Sequence, residues 1–190
     1  MNYTLPETAT VGGVEYSIRS DYRAALDICA VLSDMELTNA DKAYGALVIF
    51  YPALCDMPPE HYEAALRELM LFLNCGEPDR GGKSPKLVSW EQDFPRIVSA
   101  INKTTGTDVR GMEYLHWWTF ISYFNEIDGE TTFAAIVRIR SKLRKHKKLD
   151  KAEQEFYRAN REIVDFQAQY TDEEHDFLAG LLGKKKNSPS

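Results

Sequence analysis

The hexapeptide LHWWTF at residues 115–120 constrains the fold of this chain more strongly than any other stretch of its sequence. On a helical wheel for residues 112–127, the large apolar side chains occupy close to half of the circumference. An apolar arc this wide needs packing partners on more than one side, as for a central helix of a bundle. The residues of this arc are predicted to form the structural core: Tyr114, Trp117, Trp118, Phe120, Ile121 and Phe124.

Two tryptophans beside a histidine are also compatible with a nucleobase-stacking platform or a metal site. A stacking platform needs aromatic side chains exposed beside basic groups, whereas this predicted helix carries almost no positive charge. His116 has no second histidine, cysteine or carboxylate at the spacing of metal ligands. The pattern therefore favours a structural role for the hexapeptide, and no metal or cofactor is expected.

Apolar side chains recur at intervals of three and four residues along most of the sequence, which indicates amphipathic helices. In the predicted second helix, this period places Tyr44 and Val48 on the inward side. The first twenty residues differ, because apolar and polar residues alternate after the Gly12-Gly13 dipeptide, a pattern typical of a β-hairpin. The predicted fold class is mainly α, a multi-helix bundle with a short N-terminal β-hairpin and C-terminal amphipathic helices.

The sequence predicts a helical domain with its hairpin over residues 1–148, a C-terminal helical segment over 149–183 and a disordered tail over 184–190. Gly-Gly and two prolines at 77–86 indicate an exposed loop inside the first domain. After Asp150 the apolar stripes are narrow. Two alternatives stay open for these C-terminal helices, which either dock on the bundle or associate with a partner.

Several helix starts are marked by side chains that suit N-capping. Ser89 opens an S-x-x-Q capping box and Thr171 opens a T-x-x-E capping box. Either Ser20 or Asp21 is suited to cap the first helix. These signals divide the chain into helices more sharply than the apolar period does alone.

The net charge of −6 is unevenly distributed. Residues 138–151 hold eight basic residues and one acid, a charge of +7, so the remaining residues carry −13. Such a segment pairs with an acidic partner, binds nucleic-acid phosphates, or is a solvated helix end. Nucleic acid is the least favoured, because an acidic body repels it. The candidate partner-binding residues are Arg138, Arg140, Lys142, Arg144, Lys145, Lys147 and Lys148 in this segment, and Phe156, Ile163, Phe166, Phe177, Leu178 and Leu181 in the C-terminal helices.

Other patterns bear on the class of protein and its compartment. No apolar run approaches the ~20 residues of a membrane-spanning helix, and the N-terminus does not resemble a signal peptide. Three cysteines without a CxxC pair suit reduced thiols in a cytoplasm. The metalloprotease HExxH, the hydrolase GxSxG and the glycine-rich nucleotide fingerprints are all missing from the sequence. We therefore expect a protein that is not an enzyme.

Four blocks of the sequence carry a resemblance to a known family. They are SWEQDF at residues 89–94, LHWWTF at 115–120, TTFAAIVRIR at 131–140 and KKLDKAEQEFYRAN at 147–160. In this combination the chain resembles, over about residues 5–166, a family of small proteins of tailed bacteriophages and prophages that is known by a phage gene-product number. Its genes lie in the tail module of siphophages, near the tape-measure gene.

The resemblance implies a role in tail assembly, in the cytoplasm of the host bacterium. A chaperone in this position binds the long, aggregation-prone tape-measure protein until tube subunits polymerise around it. No catalytic residues are implied. Two further hypotheses are a minor structural protein of the phage tail and a nucleic-acid-binding regulator that acts through residues 138–151. The expected partners are tape-measure or other tail proteins, with a homo-oligomer left open.

Overall fold

A computed structural model of the protein describes residues 4–78 and 86–166. These residues form a two-stranded antiparallel hairpin followed by eight α-helices, so the predicted mainly α fold is confirmed. The elements are β1 (Thr8–Val11), β2 (Val14–Ser17), α1 (Tyr22–Ser33), α2 (Asn39–Phe50), α3 (Tyr62–Leu73), α4 (Trp90–Thr105), α5 (Trp117–Asn125), α6 (Thr132–Arg144), α7 (Lys151–Ala159) and α8 (Arg161–Val164). Short 3-10 helices lie at Leu54–Asp56, Pro59–His61 and Val109–Gly111.

Some predictions concern residues outside these ranges. The predicted loop at 77–86 falls mostly there, as do the capping box at Thr171 and the predicted tail at 184–190. The predicted C-terminal segment is described only as far as Phe166. Within the described residues, none of the helices combines the length and the apolar character needed to cross a membrane.

The hairpin turns at the glycine pair that the sequence indicates. Gly12 and Gly13 have φ angles of +58° and +82°, the left-handed region that a two-residue hairpin turn requires and that glycine adopts without strain. Val11 pairs with Val14 across the turn. A Cβ at Gly12 would lie 2.5 Å from Nε2 of His61, so close packing also requires glycine there. The hairpin is thereby fitted against the start of α3.

Polar side chains begin most of the helices by accepting a hydrogen bond from a backbone N–H of the first turn. Asp21 caps α1, Thr38 caps α2 and Ser89 caps α4 in this way. Thr131 caps α6, and Asp150 caps α7 within a capping box. Each of these side chains replaces a hydrogen bond that the helix cannot supply itself, typically about 1 kcal/mol of stability.

The main core lies among α1 to α5, with the hairpin along one side. Tyr22 of α1 stacks on Phe120 of α5 with ring centroids 4.6 Å apart and planes 7° from parallel. Phe50 of α2 contacts Phe72 of α3 at 5.1 Å. Burying each large side chain of this kind contributes about 1.5–3 kcal/mol. Adjacent helices are thus joined by aromatic pairs.

The predicted helix at 112–127 begins later than expected, at Trp117. Residues 20–22 and 115–117 instead pair as a short antiparallel bridge: the N–H of Tyr22 donates to the carbonyl of Leu115 at 2.9 Å, and that of Trp117 to the carbonyl of Ser20 at 2.8 Å. This pairing holds the residues before Trp117 extended. The core prediction is therefore wrong for Tyr114, which is 50% exposed with its hydroxyl 2.7 Å from Oγ of Ser20.

The remaining residues of the predicted aromatic core lie where expected. Trp117 and Phe120 are buried. Trp118, Ile121 and Phe124 are partly buried and pack against the same cluster. The hexapeptide is thus confirmed as part of the core.

The two tryptophans also make hydrogen bonds that their apolar character does not reveal. Nε1 of Trp117 donates to the carbonyl of Leu73 at 3.0 Å, and Nε1 of Trp118 donates to the carbonyl of Phe72 at 2.8 Å. Both acceptors lie in the last turn of α3, where helix carbonyls lack partners within the helix. The indoles therefore complete the C-terminus of α3 as well as filling the core.

His116 has a structural role at the start of the same helix. Its Nδ1 accepts a hydrogen bond from the N–H of Trp118 at 3.0 Å, which makes it the N-cap of α5. Because Nδ1 accepts, Nε2 carries the proton and donates to the carbonyl of Pro6 at 3.0 Å. The buried imidazole is thereby satisfied on both sides without a metal ion.

The described chain after Asp150 forms two short helices. α7 ends at Ala159, and α8 follows after Asn160. The side-chain amide of Asn160 donates to the carbonyl of Phe156 at 2.9 Å, competing with the helical backbone pattern. The break lets α8 turn back onto α6.

Replacement of Trp118 by phenylalanine tests the second function of the indoles. Trp118→Phe keeps an aromatic ring but removes the donor to Phe72, so we expect a loss of about 1 kcal/mol in unfolding free energy beyond that of a matched control. Trp90→Phe is that control, because Trp90 is similarly half-buried and no hydrogen bond from its indole N–H is observed among residues 4–78 and 86–166. Urea unfolding measures both, and equal losses would contradict the capping role.

Candidate protein-interaction site

The predicted basic segment is divided between ion-paired residues of α6 and an exposed turn. Arg138, Arg140 and Lys142 lie in α6, where each enters an ion pair. The rest of the predicted basic surface consists of exposed residues at the end of α6 and in the turn before α7: Arg144, Lys145, Lys147 and Lys148. We refer to these four residues as the basic turn. The charge run seen in the sequence is therefore not one continuous surface.

Arg140 lies inside the protein, with only 3% of its surface exposed. Its guanidinium pairs with the fully buried carboxylate of Asp93 in a two-pronged contact, Nη1 to Oδ2 at 2.6 Å and Nη2 to Oδ1 at 3.0 Å. A bidentate pair of this kind is strong and directional. Arg140 was predicted to bind a partner, but in this structure its charge faces the protein interior.

The remaining donors of Arg140 bind backbone carbonyls. Nη1 donates also to Leu87 at 3.0 Å, Nη2 to Ile163 at 2.9 Å, and Nε to Val164 at 2.6 Å. All five N–H groups of the guanidinium are thus used. The ring of Phe166 stacks over it, 4.1 Å from Cζ to the ring centroid. One side chain therefore connects α6, the start of α4 and the α8 region.

Asp93 and Gln92 extend this network from the start of α4. Oδ2 of Asp93 accepts the N–H of Ser89 at 2.9 Å, while Oγ of Ser89 accepts the N–H of Gln92 at 3.3 Å. The predicted capping position at Ser89 is confirmed, and Asp93 supplies the carboxylate that reaches back to it. The side-chain amide of Gln92 donates to the carbonyl of Asp165 at 2.8 Å. The helix start therefore also holds the chain beyond α8.

A second cluster of charges attaches α7 to α6. Both carboxylate oxygens of Glu153 lie 2.6 Å from Nζ of Lys142, and Oε1 lies 3.4 Å from Nε of Arg138. Oε2 also accepts the N–H of Asp150 at 3.0 Å. The hydrogen bond from Lys142, followed by that from Asp150, lowers the pKa of Glu153 below its ordinary value. Two more residues of the predicted basic surface therefore serve an internal contact.

The apolar residues predicted to bind a partner lie in two places. Phe156 and Ile163 are partly buried against a small cluster of α6 and α8. Phe166 stacks on Arg140. Phe177, Leu178 and Leu181 lie outside the described residues. The described part of the C-terminal segment is therefore docked on the bundle.

An exposed apolar surface lies instead on α2 and α3. Tyr44 is 56% exposed, Val48 is 45% exposed, and the two share one face of α2 at a spacing of four residues. The Tyr44 ring is 6.3 Å from that of Tyr62, at the start of α3, and Met70 further along α3 is 42% exposed. We call Tyr44, Val48 and Tyr62 the α2–α3 face. The predicted inward position of Tyr44 and Val48 is wrong, because the apolar arc of α2 is wider than the surface that its neighbours cover.

A cavity of about 440 Å³ lies between α1 and the start of α4. Its apolar lining consists mainly of Leu26, Cys29, Val88, Trp90 and Phe94. Arg23 and Lys86 contribute basic groups to its edge, and Asp27 and Glu91 contribute acidic groups.

The chemistry of the cavity is that of an apolar binding surface. Burial raises the pKa of the Cys29 thiol to about 11, so this thiol is protonated at neutral pH and is not an activated nucleophile. Across residues 4–78 and 86–166, no three His, Cys, Asp or Glu side chains are grouped closely enough to hold a metal ion. The arrangement therefore suits apolar side chains or an apolar ligand.

Comparison with known proteins gives one match. A family model described as "Bacteriophage Gp15 protein" matches residues 1–166. No curated protein and no solved structure matches the chain. All four sequence blocks that carry the resemblance to phage proteins lie inside the matched region.

Disruption of the buried ion pair between Arg140 and Asp93 should lower the stability of the folded protein. Asp93→Asn leaves the Arg140 guanidinium buried without its counter-charge, and we expect a loss of about 3–5 kcal/mol in unfolding free energy. Hydrogen exchange at residues 161–166 should accelerate, because the Arg140 guanidinium, which donates to the carbonyls of Ile163 and Val164, is no longer held in place. Arg161→Gln is the control, since it breaks an exposed pair with Asp165 that contributes at most about 1 kcal/mol. Equal effects of the two substitutions would contradict the role given to Arg140.

Acidification should weaken the attachment of α7. Because the pKa of Glu153 is lower in the folded protein than in the unfolded chain, its stabilising contribution is present above its ordinary pKa and is lost as the pH falls through the lowered value. The stability difference between the wild type and Glu153→Gln should therefore shrink as denaturation is repeated from pH 7 towards pH 3. Glu155→Gln, at an exposed position of the same helix, should show little pH-dependent difference. If the difference in unfolding free energy between the wild type and Glu153→Gln stays constant with pH, this mechanism is excluded.

Proposed function

The chain belongs to the Bacteriophage Gp15 protein family, and from that membership we propose that it is a non-enzymatic tail assembly protein that acts as a chaperone of the tape-measure protein. The four matching blocks and the tail-module position of the genes they resemble support this role. The proposal has the protein act in the cytoplasm of the host bacterium, where newly made tail proteins accumulate before assembly.

The exposed apolar α2–α3 face is the observation that carries the mechanism. A long helical partner with apolar stripes is kept soluble when those stripes are covered, and the usual contact is an amphipathic helix laid against an apolar surface. Tyr44 and Tyr62 are of a residue type enriched at protein interfaces, because tyrosine gives a large rigid contact. In our proposal, a helix of the tape-measure protein packs across Tyr44, Val48 and Tyr62.

The basic turn supplies a second, weaker contact in this mechanism. Arg144, Lys145, Lys147 and Lys148 are exposed, and a positive patch attracts acidic stretches of a partner from a distance. Such charges increase the association rate more than the final affinity, and their effect declines with salt. The proposal therefore assigns specificity to the α2–α3 face and faster encounter to the basic turn.

Two other functions are distinguished by direct measurement. A minor structural protein of the tail would be present in purified virions, whereas a chaperone would be absent, and mass spectrometry of virions separates them. A nucleic-acid-binding regulator would show affinity that falls with salt at a log–log slope of about −0.9 per phosphate contact. The internal pairing of Arg138, Arg140 and Lys142 leaves less positive charge for such binding.

Co-expression with the neighbouring tape-measure protein tests the proposal. The wild-type chain should yield a soluble complex by affinity pull-down, with several copies per tape-measure chain by light scattering. The double variant Tyr44→Asp/Val48→Asp should recover at least tenfold less tape measure, because charges would then face the apolar stripe of the helix. Val14→Asp/Met35→Asp is the matched control, since it places the same two charges at exposed apolar residues outside the α2–α3 face and the basic turn, and it should leave recovery unchanged.

Each result has a distinct meaning. If the wild-type chain leaves the tape measure insoluble, the chaperone role is wrong and the search moves to mature virions. If the wild type forms the complex and both aspartate variants retain it, the role stands but the α2–α3 face is not the contact. Circular dichroism of each variant first establishes that its helical content is unchanged.

A further inference from the structure

The cavity between α1 and α4 is open to solvent along an apolar wall. Leu26, Cys29, Val88, Trp90 and Phe94 line it, and each is only partly buried. Half-buried apolar side chains gathered around one cavity remain in contact with water, which is unfavourable for apolar surface. A segment with matching apolar side chains would remove that cost by occupying the cavity.

The described chain ends beside this cavity. Phe166 is held over Arg140, and its ring centroid is 6.0 Å from Nζ of Lys86. Lys86 itself contributes to the cavity edge. Arg140 therefore fixes the position of Phe166, the last described residue, next to the cavity.

The remaining chain contains a suitable segment at a suitable distance. Its sequence has an apolar stripe at helical spacing, Phe177, Leu178, Leu181 and Leu182, within the helix predicted from the T-x-x-E capping box. Phe177 lies eleven positions after Phe166, a reach of about 36 Å if extended or about 16 Å if helical. Both lengths exceed the span of the Lys86 side chain that links Phe166 to the cavity.

The order of charged and apolar residues in this segment agrees with a chain that runs from Phe166 past Lys86 into the cavity. Asp172, Glu173, Glu174 and Asp176 precede the leucines, so a chain leaving at Phe166 brings its acidic part past Lys86 before its apolar part reaches Trp90. Leu26 and Cys29 of α1 supply further apolar lining for such a segment.

We propose that residues 171–183 of this chain bind in the cavity between α1 and α4 of the same molecule, with their leucine side chains against Leu26, Cys29 and Trp90. The C-terminal segment then completes the apolar core at the edge of the bundle. This inference does not depend on the proposed tail function, since it concerns only contacts within one chain.

Disulfide trapping in the full-length chain tests the contact, because Cys29 lies in the cavity wall. In a Cys55→Ser/Cys75→Ala background, Leu181→Cys should form an intramolecular disulfide with Cys29 on mild oxidation at low protein concentration. Asp176→Cys is the matched control, because position 176 lies opposite the leucine stripe on a helical wheel, and it should react at least fivefold more slowly. Peptide mass spectrometry identifies the linked pair.

A second measurement avoids any dependence on disulfide geometry. In the same cysteine background, the rate at which a maleimide labels Cys29 should rise at least fivefold in Leu178→Asp/Leu181→Asp, because the charged segment leaves the cavity. Glu173→Gln/Asp176→Asn, which leaves the stripe unchanged, should stay within twofold of the parent chain.

The outcomes decide between occupants. Equal cross-linking at positions 181 and 176, together with an unchanged labelling rate, would overturn the proposal. Cross-linked dimers in place of monomers would also overturn it, and would assign the cavity to the segment of a second copy. Selective intramolecular cross-linking with faster labelling of the aspartate variant would establish it.

Discussion

The guanidinium of Arg140 is the interaction on which the second half of the structure depends. Its five donors are satisfied only where Asp93 and the carbonyls of Leu87, Ile163 and Val164 converge. Burying a charge is expensive, and an apolar replacement of similar shape is often equally stable. The pair of Arg140 and Asp93 therefore acts mainly by fixing the position of α8. If α8 were displaced, several N–H donors of the buried guanidinium would have no partners.

The aromatic hexapeptide performs a comparable function for the first half. Tryptophan and histidine combine apolar volume with ring N–H groups that need partners when buried. Here those groups meet the carbonyls of Leu73, Phe72 and Pro6. An all-phenylalanine block would fill the same space but would leave the last turn of α3 and the N-terminal strand region without these contacts. The polar edges of large side chains thus determine how the apolar surfaces are aligned.

Local signals were predictable from the sequence, and signals that depend on distant partners were not. The cap at Ser89 and the turn at Gly12-Gly13 are decided by neighbouring residues, and both were identified. The burial of Arg140 depends on Asp93, 47 positions away, so counting charges along 138–151 could only suggest a surface. The same limit applies to Tyr114, whose segment is held extended by a bridge to residues near Ser20. For Tyr44 and Val48, periodicity identifies an apolar arc but cannot show that no neighbouring element covers it.

The contacts of Arg140 with the α8 region use main-chain carbonyls, and this has a consequence for how the protein tolerates change. Every amino acid supplies a carbonyl, so the identities of residues 163 and 164 are free to vary as far as these hydrogen bonds are concerned. Asp93 and Arg140 are different, because loss of either one leaves the other as an unpaired charge in the protein interior. Residues 163 and 164 should therefore be limited only by their apolar packing against α6, whereas substitutions at Asp93 and Arg140 should be suppressed. Substitutions at those two positions would have to occur as a pair.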